Sequence, residues 1–182
     1  MHYNNLPLPV NLERLIARSA VTSSFVVNDA GAVANEDGTS AGIGNSTDKK
    51  LLAALRSNSE IVLTSGKTAR ADRYRMPKTA DLAVLTRSGI DELQLEPKPG
   101  QRLIILGDHA TSYLSALDQL KDLGYRNVHV EYGPTGFREA RRNLDLTLIS
   151  GVSEGGIATF AEAHSLTQLD HFELGDLVVW AC

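Results

Sequence analysis

Two spacings of apolar residues alternate along the chain. Short β-branched runs with turn residues at both ends read as strands, and apolar residues three and four apart read as helices. Leu6 to Pro9 is Pro-rich and extended, and Asn11 to Ala20 carries Leu12, Leu15 and Ile16 on one helical side. Ala20 to Val27 reads as a core strand and Asn28-Asp29-Ala30-Gly31 as a turn. Asn35 to Asn45, rich in Gly, Ser, Thr and Asn, reads as a long loop. Ser46 or Thr47 is expected to cap a helix whose buried side is Leu51, Leu52 and Leu55.

Further strands are predicted at Glu60 to Thr64, Leu82 to Thr86 and Arg102 to Leu106. Between the first two, Ser65 to Asp81 reads as a polar loop with room for one helical turn. Thr111 is expected to cap a helix that runs through Leu123, with Leu114, Leu117 and Leu120 inward and Gly124 as its left-handed stop. Asn127 to Glu131 is a short buried strand that ends at Gly133, and Pro134 suits the first position of the helix that follows, with Phe137, Ala140 and Leu144 on its apolar side. Asp145 to Ser150 is another strand and Gly151 to Gly156 a loop. The alternation over Leu166, Leu169, Phe172, Leu174 and Leu177 to Trp180 predicts two antiparallel strands. βα units first and a hairpin last give an α/β fold: a mixed, mainly parallel sheet with helices on both faces.

Composition narrows the class. The 182 residues suit one domain over 1–182, with 1–20 as an N-terminal extension. Hydrophobic content of 42% and charged content of 22% are those of a soluble globular chain. A net charge of −4 without a basic stripe argues against nucleic acid as a partner. No stretch is long enough to cross a bilayer, and the start lacks a signal-peptide pattern, so the expected place is the cytoplasm. The one cysteine, Cys182, provides neither a disulfide framework nor a thiolate metal site, and the histidines show no metal spacing.

The chemistry collects where predicted strands end. Thr64 and Gly66 to Asp72 follow one strand, Thr86 and Arg87 end the next, Gly107 follows the third, and Glu131 to Thr135 the fourth. Parallel strands bring such ends to one edge, the usual ligand edge of an open α/β sheet. Glycine at a strand-to-helix turn leaves N–H groups free for a phosphate. A guanidinium just past a strand, Arg87, can clamp a phosphate, and a 2′-phosphate is what separates NADP from NAD. There is no Gly-x-Gly-x-x-Gly after the first strand and no Gly-Lys-Ser/Thr P-loop.

Four segments, in order, carry a resemblance: Asn28-Asp29-Ala30-Gly31-Ala32, Gly38-Thr39-Ser40-Ala41-Gly42-Ile43, Gly66-Lys67-Thr68-Ala69-Arg70-Ala71-Asp72-Arg73-Tyr74, and Val130-Glu131-Tyr132-Gly133-Pro134. From about Ser23 to Gly156 the chain resembles the reductase domain of the riboflavin-biosynthesis pyrimidine deaminase/reductase family, and among these the stand-alone reductase-like proteins. The resemblance implies a dihydrofolate-reductase-like fold, NADPH as cofactor, a homodimer, and hydride transfer to a pyrimidine ribosyl or pterin-like substrate. It implies that Thr68, Asp72, Thr86, Arg87, Gly107, Gly133, Pro134, Thr135 and Gly136 meet the cofactor. It implies that Ser40, Arg56 and Glu131 hold the substrate, and that Asp29 and Glu131 are the candidate proton donors.

Three departures bear on this. Tyr132 replaces the family's first glycine after the glutamate, so the pyrophosphate turn is expected to be altered. Ala32 and Thr79 stand where the family carries cations. A diverged nucleotide-binding protein without catalysis, or a reductase of an unrelated carbonyl, are the alternatives. Glu154-Gly155-Gly156 spells the family triplet after the wrong strand and is read as a turn without a catalytic role.

Overall fold

The computed structural model describes residues 7–36, 40, 42–107 and 111–182. Part of the predicted glycine-rich loop, with Gly38, Thr39 and Ala41 of the second motif, lies outside them. The strands are β1 (Val21–Val27), β2 (Ile61–Ser65), β3 (Asp81–Leu85), β4 (Leu103–Leu106), β5 (Val128–Glu131), β6 (Leu146–Gly151), β7 (Asp170–Leu174) and β8 (Leu177–Ala181). The helices are α1 (Val10–Arg18), α2 (Ser46–Ser57), α3 (Gly66–Ala71), α4 (Tyr113–Asp122), α5 (Pro134–Ala140) and α6 (Glu154–Ala163). The strands hydrogen-bond in the order β4-β3-β2-β5-β1-β6-β8-β7. β1, β2, β3, β4 and β5 pair in parallel, whereas β8 is antiparallel to β6 and β7. This is the mixed, mainly parallel sheet with a C-terminal hairpin that the pattern predicts.

By contacts the chain divides into two compact units. One holds residues up to Ser19, Ser24–Leu55 and Leu146–Cys182. Leu12 and Ile16 of α1 and Leu51 and Leu55 of α2 bury against Leu146 and Leu148 of β6, Phe172 and Leu174 of β7, and Val179 and Ala181 of β8. Side chains alternate along a strand, so Ile149 turns to the other face of β6. On that face α6 brings Ile157 to Gly151, and Phe160 packs on Phe25 with ring centroids 5.0 Å apart. This unit therefore carries helices on both faces of its strands.

The other unit holds Ala20–Ser23 and Arg56–Asp145. Val62, Leu82 and Val84 meet Ala69 of α3, Tyr74 and Leu95 on one face, and the alternate residues Ile61, Leu63 and Ala83 are fully buried as well. Burial on both faces explains why these strands read as continuous apolar runs.

Several local expectations change. Asn45, not Ser46 or Thr47, caps α2: its Oδ1 accepts from the backbone N–H of Thr47 at 2.8 Å and of Asp48 at 3.0 Å. Ser112, not Thr111, caps α4 through the N–H of Ser115. Leu114 is exposed, while Leu117 and Leu120 are buried as predicted. The segment after β6 is more than a loop, because Ser153 caps α6 and Glu154-Gly155-Gly156 is its first turn. Two glycines, weak helix formers, hide that helix from the pattern. Gly156 is there for packing, since a Cβ would lie 2.1 Å from the Asn28 carbonyl oxygen.

Candidate functional site

The residues predicted at the strand ends of β2 to β5 belong to the unit that holds Arg56–Asp145. β2 pairs with β3 and β5, and β3 with β4, all parallel, so their carboxyl ends are neighbours. A cavity of about 440 Å³ opens there, lined by Ser65, Gly66, Lys67 and Arg70 from the β2–α3 junction, Thr86, Arg87 and Ser88 after β3, and Ser112, Tyr113 and Glu139, among others. Its volume is toward the low end for ligand pockets, roughly 300–1,000 Å³.

The local sequence builds this wall in steps. Ser65 ends β2 and caps α3, accepting from the Thr68 N–H at 3.0 Å, and its hydroxyl donates to Thr68 Oγ1 at 2.9 Å. Lys67 and Arg70 are three residues apart on α3 and so share a side of it. After β3, Thr86 donates to the Gly89 carbonyl at 3.2 Å and closes a turn that carries the exposed Arg87. The glycines on either side allow this. A Cβ at Gly66 would sit 2.5 Å from Thr86 Oγ1, and at Gly107, with φ of 130°, 2.3 Å from the Thr86 carbonyl oxygen. Gly107 thus packs on Thr86. Three cations, Lys67, Arg70 and Arg87, face one carboxylate, Glu139, which already accepts from the Tyr113 N–H at 3.0 Å. The excess positive charge suits an anionic ligand.

The glycine turn at the end of β5 is half covered. Gly133 and Thr135 are exposed, and no atom lies within 4 Å of a Cβ built on Gly133. Gly136 is buried under Tyr113, whose ring would lie 2.5 Å from a Cβ there. Pro134 opens α5. Tyr132 needs no glycine torsion: it is not among the residues with positive φ, and Gly133 has φ of −72°. The Tyr132 ring is buried, edge-on to Tyr113 at 4.7 Å, and is not part of the cavity wall. The altered turn expected from tyrosine is therefore a matter of packing around the turn.

Glu131 at the end of β5 is 12% exposed and gives both oxygens to Arg56: Nε to Oε1 at 2.7 Å and Nη2 to Oε2 at 2.7 Å. Tyr74 donates to Oε2 at 2.8 Å and accepts from Arg56 Nη2 at 2.9 Å. Burial by itself would raise the Glu131 carboxyl, but the hydrogen bonds and charge of Arg56 outweigh it and hold the group below the usual carboxylate value. Burial, then the Glu131 charge, raise the Tyr74 phenol, so it stays protonated and donates. A carboxylate held this way is a poor proton donor at neutral pH. Behind it, burial lowers His129 to about 4, so its Nε2, 3.7 Å from Glu131 Oε1, is neutral and makes no ion pair.

The other predicted residues lie apart from the cavity wall. Thr68 is used in the α3 cap, and Asp72 ends that helix, exposed. Asp29 and Ser40 belong to the other unit, where Asp29 Oδ1 accepts from Ser153 Oγ at 2.6 Å. The Asn28-Asp29-Ala30-Gly31 turn is held by Asn28 Oδ1, which accepts from the N–H of Ala30 and Ala32. The sequence reading left Ser65 and Tyr113 out of the site and gave Arg70, Tyr74 and Glu139 no role of their own within its segments. The capping serine and the i, i+3 cations were legible signals. Tyr74 and Tyr113 reach their places only through the tertiary fold.

No protein-family model matches the chain, nor does any curated protein sequence. Solved structures do. A pyrimidine reductase-like protein of Corynebacterium diphtheriae superposes with a TM-score of 0.65 at 16% identity over 96% of this chain and 94% of its own. The chain shares that fold. A diaminohydroxyphosphoribosylaminopyrimidine deaminase/5-amino-6-(5-phosphoribosylamino)uracil reductase of Thermotoga maritima gives 0.63 at 16% identity over 88% of this chain, which spans 55% of that longer protein. A riboflavin biosynthesis reductase of Saccharomyces cerevisiae gives 0.62 at 14%, over 88% of this chain and 87% of its own. No described helix is long and apolar enough to cross a membrane.

Proposed function

We propose that this chain is an NADPH-dependent reductase of a pyrimidine ribosyl or related heterocyclic substrate. The observation that carries the reading is the cavity at the carboxyl ends of β2 and β3, with Lys67, Arg70 and Arg87 against a single carboxylate already engaged in capping. This wall fits the adenosine-phosphate end of the cofactor: cations for the phosphate, hydroxyls of Ser65, Thr86 and Ser88 for the ribose, and the Tyr113 ring beside them. The pyrimidine reductase fold of the solved neighbours supports the reaction class.

When bound, NADPH supplies the hydride. The chain's own residues bind and orient. Arg87 would meet the 2′-phosphate, and the exposed residues Gly133 and Thr135 would lie toward the diphosphate. Glu131, ionised and fixed by Arg56 and Tyr74, orients the substrate rather than protonating it. The proton then comes from a group other than Glu131. Thermal denaturation tests the cofactor: NADPH raises the midpoint more than NADH does. Equal shifts, or none, overturn it. Turnover of 5-amino-6-(5-phosphoribosylamino)uracil with NADPH tests the substrate.

One observation favours a second reading, a nucleotide-binding protein without this reaction. Arg56, which the resemblance assigns to the substrate, commits Nε and Nη2 to Glu131. Turnover of the aminouracil excludes this reading. NADPH binding without any turnover supports it.

A further inference from the structure

Two arginines of this unit are held in different ways. Arg70, in the cavity wall, makes one bond, from Nη1 to the Gly89 carbonyl at 3.4 Å. Arg56 is far more committed. Nε and Nη2, the two nitrogens that form a parallel pair of bonds, both go to Glu131, and Nη2 also donates to the Tyr74 hydroxyl. The Tyr74 ring lies over the guanidinium, its centroid 4.9 Å from Cζ. Among the described residues only Nη1 is left without a bond, so a phosphate arriving at Arg56 would find one nitrogen in place of a fork.

The charges cancel as well. Burial by itself would lower Arg56, but the bond to Glu131 and its charge outweigh it, so the guanidinium is charged. Glu131 is ionised, and Tyr74 and His129 are neutral. Together the four side chains carry no net charge. A phosphate monoester, about −1.5 to −2 at neutral pH, is not attracted to such a group. To win the fork it has to displace Glu131 and leave a covered carboxylate unpaired. A neutral oxygen meets no such penalty. It can accept from Nη1, and Oε1 of Glu131, which takes one bond where Oε2 takes two, can accept from a ligand hydroxyl. The geometry points to a substrate that presents uncharged hydroxyl or carbonyl groups to Arg56 and Glu131, a nucleoside-like heterocycle without a phosphate at this end. This narrows the substrate class of the reductase reading above and rests on it.

Isothermal titration in the presence of NADP⁺, which cannot turn over, compares 5-amino-6-(ribosylamino)uracil with its 5′-phosphate. Wild-type protein binds the uncharged compound more tightly, by on the order of tenfold. Glu131→Gln keeps the shape and removes the charge that neutralises Arg56, so the preference moves toward the phosphate by on the order of tenfold or more. The inference is overturned if wild type prefers the phosphate, if it binds neither compound, or if Glu131→Gln leaves the preference unchanged. The wild-type comparison decides by itself where the variant does not fold. The two readings fail separately. Turnover with NADPH at a higher kcat/KM for the phosphorylated compound keeps the reductase and removes the inference. Preferred binding of the uncharged compound without hydride transfer to it removes the reductase and keeps the uncharged subsite.

Discussion

Arg56 and Glu131, 75 positions apart, meet through two parallel bonds of 2.7 Å, and the Tyr74 hydroxyl bonds to both partners. The arginine lies at the end of α2 and the glutamate at the end of β5. Their geometry keeps the charge of Glu131 fixed at the edge of the sheet where ligands bind in open α/β folds.

The pair should behave as a unit in stability. Arg56→Ala leaves Glu131 charged and mostly covered, and is expected to cost roughly 3 kcal/mol. Arg56→Met with Glu131→Met together should cost less than the two single changes summed. Urea unfolding of the four proteins closes the cycle, and simple additivity contradicts the coupling. The Glu131 carboxyl is held below its unfolded value. Its contribution is therefore present above about pH 4.3, and it is lost as pH falls through the folded value.

His129 sets a second pH dependence. It is fully buried, its Nδ1 is 2.9 Å from Thr22 Oγ1, and burial lowers it to about 4. Between pH 6.5 and 4 the unfolded chain binds a proton that the folded chain does not, so stability falls with pH in that window. At pH 5 the loss is roughly 2 kcal/mol. Among groups near it, Glu131 opposes the shift and Arg56 adds to it. His129→Gln should flatten the fall in melting temperature between pH 6.5 and 5, and an unchanged slope rejects this account.

Gly136 and Tyr113 form a tight contact at the glycine turn. A Cβ at Gly136 would lie 2.5 Å from Cε2 and 2.7 Å from Cζ of Tyr113, whose ring also abuts Tyr132. Gly136→Ala should cost about 1–3 kcal/mol from overpacking. Adding Tyr113→Ser should cancel part of that cost, so the double variant is more stable than additivity predicts. Guanidinium melts of the single and double variants measure it.

Adjacent glycines in α6 should respond in opposite directions. Gly155 has nothing within 4 Å of a Cβ, so Gly155→Ala gains up to about 1 kcal/mol of helix propensity. Gly156 packs on the Asn28 carbonyl, so Gly156→Ala should cost about 1–3 kcal/mol. Thermal midpoints of the two variants separate these cases. If both variants lose stability equally, the packing argument fails.

What could be read from the chain follows the range of the forces involved. Strand positions, the parallel order of the βα units and the closing hairpin were legible, because apolar runs, continuous or alternating, and their turn residues are local. Gly124 was legible as a left-handed stop, and φ of 96° there agrees. Caps were placed one or two residues late at Asn45 and one early at Ser112, since neighbouring Ser, Thr and Asn offer the same acceptor and only the backbone path chooses among them. Helix α6 was missed because packing on Asn28 requires a glycine where helix propensity disfavours one. Arg56, Tyr74 and Glu131 come from three separate stretches, and nothing local says that they share one set of hydrogen bonds. The sequence by itself determined the elements and the edge at which their polar ends gather. Only the tertiary structure decided which cation is held beside the cavity and which carboxylate is already neutralised, because both depend on distances between residues far apart in the chain.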